Sequence, residues 1–559
     1  MAKLASLGAA TLTVAIAAMC ALTHAQNQTP KPLTPVINFP NSGAAAAQPA
    51  FLKGMVALHN FAFHTAARDF RAAEKIDPGF ALAYWGEAMT HAQFVWGNEN
   101  VAAGRAALRA EAAAVDPHRI TPHEAGYIDA ARALFGSGDR VTREAAFEQK
   151  MHALHLKYPN DFEAAVFYAL ALIRRGPQLI PAPVAKRMQA AAILKSLYQR
   201  NPRHPGVLHY LIHAYDDPAH ARLALPYARA YERIAMHAPH ALHMPSHIYV
   251  RLGLWDGVAR ANTRAYAASL TPEYAADGPD LHSLEWLHFA RLQQGRLHDA
   301  ARLLQIMRGY ADKGRALPEL PMCPATASGA HDPAARAALR MAARSVIASQ
   351  AWNEARAPDK KPYLDLFLSY PNALYAAGIG VAERGDYTAA NNLADQILSL
   401  RAPALRAKLP SWAQRMDAMG KALKGASAWR SGKTDMARSL FKEAIDDSVA
   451  LFGDPDAADQ SLPDPIKPVR ELYGEMLLSA GNAAAAAIQF SDVLRRFPRR
   501  PATVLDQARA LKANGDRKDA ACHYAELAAI WHDADADLPG LAEARREAVG
   551  ATGCAKQQD

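Results

Sequence analysis

The 559-residue sequence has few cysteines, and only its beginning forms a long apolar run. The four cysteines are isolated from one another: Cys20, Cys323, Cys522 and Cys554. This argues against a metal site built from cysteine alone, although Cys522 and Cys554 could pair and fasten the last helices in an oxidising compartment. Beyond the first residues no run reaches the ~18 apolar residues that a membrane-spanning helix needs. We therefore predict no membrane span in the mature chain.

Several catalytic and nucleic-acid-binding patterns are also missing. The sequence contains no Gly-rich phosphate loop, no nucleophile elbow and no HExxH motif. Its net charge of +9 is modest for this length, and lysines and arginines do not cluster on one element. We therefore expect no nucleic-acid partner.

The first 25 residues have the three parts of a bacterial export signal. Lys3 supplies the positive start, residues 4–19 supply the apolar segment, and a Thr-His-Ala sequence ending at Ala25 resembles a cleavage site. We predict a signal peptide over residues 1–25 and a periplasmic or secreted protein that begins at Gln26.

Histidine is concentrated in one stretch of the chain. Eight of the 22 histidines fall between positions 204 and 247, where an even distribution would place about two. His209 and His213 are four residues apart, as are His243 and His247, and this spacing puts two side chains on one helix face. The second pair follows the first after 34 residues, which is a period typical of arrays of paired antiparallel helices.

Small and large residues recur at fixed positions along most of the sequence. If Ala47 is position 1 of a unit, Gly54 falls at position 8, Ala66 at 20 and Phe70 at 24. Later units repeat these positions and add a glycine at position 15, with these residues: Gly378, Gly385, Ala390, Gly425, Gly432, Ala437, Phe441, Gly474, Gly481, Ala486 and Phe490. The pattern resembles that of the tetratricopeptide repeat (TPR) superfamily from residue 47 to about 534. This resemblance implies an all-α fold, a tetratricopeptide-type helical-repeat solenoid.

Three segments also resemble a group of secreted bacterial TPR proteins. They are ALAYWGEAMTHA, HYLIHAYDDPAHA and HALHMPSHIYVRLGLW, which begin at Ala81, His209 and His240. The superfamily implies that the first helix of each pair lines a concave face. Pro245 would interrupt such a helix, so we expect a helix to begin there.

The two histidine pairs predict one shared metal site. Imidazole is a common ligand of transition metals, and neighbouring helix axes lie roughly 8–10 Å apart, so two pairs can converge on one ion. We predict His209, His213, His243 and His247 as ligands of copper or zinc, with iron as a further choice. In the superfamily, positions 2, 5, 9, 12 and 13 of a unit point into the concave face, so the resemblance adds further candidate ligands or supporting groups: His240, His282, Asp216, Asp217 and Glu285. Trp85, Glu87 and His91 share one earlier helix and could line the same groove.

The same histidines allow other interpretations. They could donate hydrogen bonds to an anionic or peptide ligand, or they could only pack within the helical core. Three functions follow. The protein is an exported scaffold whose histidine-lined concave groove binds a transition metal and a peptide or protein, a metalloenzyme that activates water or dioxygen, or a purely structural adaptor.

Proline-rich segments divide the chain. We predict a flexible linker over residues 26–46 and an N-terminal TPR-like array with a histidine-rich concave face over 47–316. A hinge over 317–333 and a C-terminal array over 334–559 complete the prediction. Within the first array, Thr121 and Glu124 have the spacing of a capping box, which predicts a helix start at residue 122.

Overall fold

The computed structural model describes residues 33–95, 99–174, 182–235, 237–312, 333–358, 369–453 and 465–549, together with Ala551 and Cys554. These residues form α-helices and a few short 3-10 helices. Successive helices pack against each other as antiparallel pairs, so the predicted all-α, tetratricopeptide-type solenoid is confirmed. None of the described helices combines the length and apolar character needed to cross a membrane. The predicted signal peptide and most of the predicted hinge lie outside the described residues.

The first helices run from the N-terminal pair to the histidine-rich region: α1 (Gln48–His59), α2 (Phe63–Ile76), α3 (Ala81–Met89), α4 (Val101–Ala114), α5 (Pro122–Leu134), α6 (Arg140–Lys157), α7 (Phe162–Leu172), α8 (Val184–Arg200), α9 (Pro205–Ala214), α10 (Ala221–Ile234), α11 (Pro239–His243), α12 (Pro245–Arg251) and α13 (Trp255–Ser269). The remaining helices complete the array: α14 (Leu281–Gln293), α15 (Leu297–Asp312), α16 (Pro333–Ser349), α17 (Ser369–Glu383), α18 (Tyr387–Ser399), α19 (Arg401–Arg406), α20 (Pro410–Arg430), α21 (Thr434–Gly453), α22 (Val469–Ser479), α23 (Ala483–Arg496), α24 (Pro501–Ala513), α25 (Arg517–Ile530) and α26 (Leu541–Glu547).

Side-chain caps determine where several helices begin. The predicted capping box is present, because Thr121 Oγ1 accepts a hydrogen bond from the Glu124 N–H and Glu124 Oε2 accepts one from the Thr121 N–H. Asp139 and Asp161 cap α6 and α7 by accepting from backbone N–H groups three residues later. The helix start expected at Pro245 is likewise observed.

The turns between paired helices usually end in a left-handed glycine. Six glycines adopt this conformation at equivalent turns, with φ from 67° to 90°: Gly253, Gly295, Gly385, Gly432, Gly481 and Gly515. The first turn has Phe61 at this position, with φ of 56°. Its hydrogen bonds are the same, since the N–H of Phe61 donates to Leu58 and that of Ala62 donates to Ala57. A non-glycine residue in this region costs of order 1–3 kcal/mol, so another interaction must hold the phenylalanine there.

The segment before α1 lies against the first array. The Leu33 N–H donates to the Arg233 carbonyl at 2.8 Å, and the Val36 N–H donates to Arg203 at 3.0 Å. Phe39 is 3% exposed, and the Ser42 N–H donates to Glu124 Oε1 at 2.7 Å. The predicted linker over 26–46 is thus packed onto the array from residue 33 onward.

The array turns back on itself at two places. Helix α9 approaches α1 so closely that a Cβ at Gly206 would lie 2.4 Å from His59 Nδ1. Further along, Trp255 Nε1 donates to the Arg499 carbonyl at 2.8 Å and Trp531 Nε1 donates to Gln293 at 3.2 Å. The largest hydrophobic core therefore joins α1–α16 with α24–α26, while α17–α22 share a second core. Cys522 of α25 is disulfide-bonded to Cys554.

Candidate metal centre

Three histidines meet between α9 and α11. His209 and His213 lie one turn apart on α9, and His240 enters from α11. The Nε2 atom of His209 lies 3.1 Å from Nε2 of His213 and 3.2 Å from Nε2 of His240. His209 is fully buried and His240 is 8% exposed. One nitrogen of each ring lies within 4.8 Å of the other two, which is a spacing suited to three ligands of one ion.

A second set of three histidines lies beside the first. His243 ends α11, His247 lies on α12, and His282 lies on α14. The Nε2 atoms of His243 and His247 are 2.9 Å apart, and the rings of His243 and His282 are 4.7 Å apart between centroids. Their nitrogens also fall within 4.8 Å of one another. We call His209, His213 and His240 the first triad, and His243, His247 and His282 the second triad.

Acceptors behind the triads orient three of the rings. His209 Nδ1 donates to the His59 carbonyl at 2.6 Å, and His247 Nδ1 donates to Asp216 Oδ2 at 2.8 Å. His243 Nδ1 donates to Asn262 Oδ1 at 2.6 Å. The Asn262 amide has a defined orientation, because its Nδ2 donates to the Val258 carbonyl at 2.8 Å.

In a neutral ring, a hydrogen bond of this kind leaves a lone pair on the facing nitrogen. A neutral imidazole carries one proton, so a ring that donates through Nδ1 presents an unprotonated Nε2. Burial lowers the pKa of His209 to about 3 and lowers the pKa of His243 well below its ordinary value, so both rings are neutral at pH 7. The Nε2 lone pair of His243 therefore faces Nε2 of His247 at 2.9 Å. A metal cation between the two rings could be ligated by both nitrogens, and the acceptors at Nδ1 are those that hold metal-binding histidines in place.

An aromatic ring flanks each triad. The Phe61 ring stacks on His240 at 5.4 Å between centroids and lies 4.5 Å from His209. Trp286 lies 4.9 Å from His243 and 4.7 Å from His247. These contacts explain why a phenylalanine is held in the turn position where other units have glycine.

The structure regroups the six predicted histidines. The two pairs do not form one four-histidine set, because His240 completes the first pair and His282 completes the second. The 34-residue period relates the two histidine pairs, but the second pair is divided between α11 and α12. The short helix α11 contributes His240 to the first triad and His243 to the second. His209, His240 and His243 are also buried, so they lie inside the array rather than lining an open concave groove.

Three of the predicted carboxylates divide between two roles. Asp216 supports the second triad, since it accepts from His247 and from Arg251 Nε at 3.0 Å. Burial raises the pKa of Asp216, but Arg251 and His247 outweigh burial and hold that pKa well below its usual range. Asp217 instead pairs with Arg187 at 2.7 Å, and Glu285 pairs with Arg340 and Arg344, both at 2.5 Å. Asp217 and Glu285 are structural ion pairs, and neither triad includes them.

The predicted residues of α3 and its C-terminal turn also lie away from the triads. Trp85 is fully buried in the core, with its ring against Phe39, Tyr127 and Phe167. Glu87 accepts from Arg71 Nε at 2.6 Å, and burial lowers the pKa of His91. Trp85 therefore packs rather than lining a groove.

A third cluster supports the first triad from behind. Both oxygens of the buried Glu163 carboxylate are engaged, one with His59 Nε2 at 3.0 Å and the other with His204 Nε2 at 2.8 Å. His59 Nδ1 pairs with the Tyr210 hydroxyl, and His204 Nδ1 accepts from the Val207 N–H. Every ring nitrogen has a partner, so this cluster is a hydrogen-bond network that positions the His59 carbonyl under His209.

Sequence reasoning did not identify Phe61, Trp286, Asn262 or this network. Their positions are far apart in sequence and follow no repeat period, so only the closure of the array brings them to the histidines. The one available signal was Phe61, which stands where later units have glycine.

No protein-family description matches the chain, and no curated protein matches it. Among solved structures, the crystal structure of the APC/C hetero-tetramer Cut9–Hcn1 aligns over 91% of this chain and 97% of that chain. The sequence identity is 12% and the TM-score is 0.29. A similarity this low transfers no function. What the structure itself shows is an all-helical, TPR-like repeat protein with buried histidine triads.

Proposed function

We propose that this protein is an exported TPR scaffold whose histidine triads bind a transition metal. It would belong with the secreted bacterial TPR proteins that share the HYLIHAYDDP and HALHMPSHI motifs. The observation that supports this function best is the pair His243 and His247. Their Nε2 atoms are 2.9 Å apart while both Nδ1 atoms donate to fixed acceptors.

The ligand chemistry favours copper or zinc, with iron as a further choice. Each triad consists only of imidazoles, which suit these metals, whereas Mg²⁺ and Ca²⁺ prefer oxygen ligands. Three protein ligands also leave one coordination position open, as in catalytic zinc sites. This supports a second candidate function, a metalloenzyme in which the ion activates water or dioxygen.

A peptide or protein ligand is the other part of the proposal. TPR-type arrays offer extended surfaces to protein partners. His213, His247 and His282 are only partly buried, so the triads are accessible from one side. A partner residue that reaches this side could occupy an open metal position. If the histidines only pack, the protein is a structural adaptor without metal.

Metal titration with four variants tests the proposal. Zn²⁺ or Cu²⁺ should raise the melting temperature of the parent, because a ligand at a hundred times its Kd stabilises the folded state by about 2.7 kcal/mol. The double variant His213→Ala/His247→Ala should lose this response, and each single variant should lose part of it. His237→Ala is the matched control, since His237 is exposed and belongs to neither triad. Two outcomes would favour the structural adaptor. In one, the metal raises the melting temperature of the parent and of all four variants equally; in the other, neither metal nor a chelator changes any melting temperature.

A further inference from the structure

We propose that the two triads form one paired centre, in which two copper ions, one in each triad, share a small bridging anion. This inference rests on the proposed metal binding. It adds the number of ions per chain, the identity of the metal and the class of the ligand that binds from solution. The bridging ligand would be an ion of one to three atoms, such as hydroxide or azide.

The two triads are adjacent because both include a histidine of α11. His240 of the first triad and His243 of the second lie one turn apart on α11, with ring centroids 6.3 Å apart. Six imidazoles therefore form one continuous cluster with two equal sets of three.

Equal sets of three ligands favour two ions over one. A transition-metal ion held by three imidazoles is a complete protein site with one open position. The ligand nitrogens lie within 4.8 Å of one another inside each triad but not across all six rings, so the six do not form the ligand set of a single ion. Each set therefore has its own ion.

Charge balance calls for an anion between them. Two divalent ions would bring four positive charges into a cluster whose imidazoles are uncharged when they ligate a metal. Among the described residues, Asp216 is the carboxylate that hydrogen-bonds a triad histidine, and it is already shared with Arg251. Because each ion has an open position, one small anion bound to both would reduce their mutual repulsion.

The ligand set favours copper over other divalent ions. Paired iron and manganese ions in helical proteins are held largely by glutamate carboxylates, and neither triad includes a carboxylate. Copper(II) also binds nitrogen ligands most tightly among the first-row divalent metals.

The aromatic walls restrict the bridging position to small ligands. Phe61 lies against the first triad and Trp286 lies against the second, within 4.5–5.4 Å of the histidine rings. Phe61 occupies this position in spite of its left-handed backbone. A bulky ligand would have to displace one of these rings.

Copper stoichiometry and spin coupling test the inference. The full chain is titrated with Cu²⁺, and bound copper is measured by elemental analysis and by electron paramagnetic resonance. We expect two coppers per chain in the parent, with most of the resonance signal absent, because a shared anion couples the two unpaired spins. His213→Ala and His247→Ala should each leave one copper with a full signal, and His237→Ala should behave as the parent. Azide should bind once per chain in the parent, with a ligand-to-metal absorption band.

The outcomes separate the paired centre from metal binding itself. Two coppers with full resonance signals and two azides per chain would overturn the pairing while leaving metal binding intact. One copper per chain would also overturn it. Failure to bind copper, zinc or iron in a chain with the parent's circular dichroism spectrum would overturn both proposals.

Discussion

At the residue scale, Asp216 and Asp217 are neighbours in sequence with separate duties. Asp216 accepts the Nδ1 proton of His247, whereas Asp217 is fully buried against Arg187. We expect Asp216→Asn to weaken metal affinity about 10- to 100-fold, because the charge behind a ligating histidine raises its basicity. Isothermal titration gives the affinity directly.

Asp217→Asn is the control for that substitution. Breaking a buried ion pair costs about 3–5 kcal/mol, so this variant should be less stable but should bind metal as the parent does once folded. An equal loss of affinity in both variants would mean that the effect comes from general destabilisation.

Phe61 provides a second prediction at this scale. Phe61→Gly and Phe61→Ala both remove the ring, but only glycine adopts the left-handed conformation without strain. We therefore expect the glycine variant to be more stable than the alanine variant by about 1 kcal/mol, the reverse of their order within a helix. Urea unfolding of both variants measures the difference, and an alanine variant of equal or greater stability would show that the turn is not strained.

The residues show what the sequence could predict about the site. All six triad histidines were predicted, because four-residue spacing and the repeat frame are local properties. Their grouping was not predicted, since it depends on the short helix α11 that ends before Pro245. Asp217 and Glu285 fall at repeat positions that point into the concave face. Their carboxylates are nevertheless engaged in ion pairs, Asp217 with Arg187 and Glu285 with Arg340 and Arg344.

At the element scale, Glu471 fastens α22 to the start of α24. Its carboxylate accepts from Arg500 Nε at 2.6 Å and lies 3.1 Å from Lys467 Nζ. Burial raises the pKa of Glu471, but Arg500 and Lys467 outweigh burial and lower the pKa from 4.5 to about 2. The stability from this group is therefore fully present above pH 4.5 and is lost as the pH falls towards 2.

The variant Glu471→Gln tests this link between helices. By linkage the shift corresponds to roughly 3 kcal/mol, so the parent should exceed the variant in stability at pH 7, and the gap should narrow by about that amount towards pH 2. Urea unfolding across this pH range, followed by circular dichroism, measures the gap. A gap that stays constant with pH would contradict the role given to Glu471.

Helices were the most predictable elements. A capping box such as that of Thr121 and Glu124, and the glycines that end helices, act on their immediate neighbours, so the sequence indicates them directly. The packed course of residues 33–46 was not predictable, because its partners Arg203 and Arg233 lie far along the chain.

At the scale of the whole molecule, the return of the C-terminal helices depends on close backbone contact. A Cβ at Gly253 would lie 2.3 Å from the Pro498 carbonyl oxygen, whereas a Cβ at Gly432 would meet nothing within 4 Å. Both glycines have positive φ, 67° and 79° respectively. Gly253→Ala and Gly432→Ala therefore share the same backbone strain, and only the first adds a clash.

We expect Gly253→Ala to loosen the contact between α12 and the segment around Arg499. Limited proteolysis should then cut near residues 498–500 in Gly253→Ala but not in Gly432→Ala, and small-angle scattering should show a larger radius of gyration. Identical cleavage and identical radii in the two variants would show that this contact does not hold the array closed.

The hydrogen bond from His209 to the His59 carbonyl spans 150 residues. During synthesis α1 is therefore made long before the histidine that rests on it, and the second triad stays incomplete until His282 has emerged. A metal ion that arrives early meets isolated histidine pairs without their supporting acceptors. If the triads bind metal as proposed, loading follows the closing of this part of the array, and an occupied centre would record that the first half of the chain has finished folding.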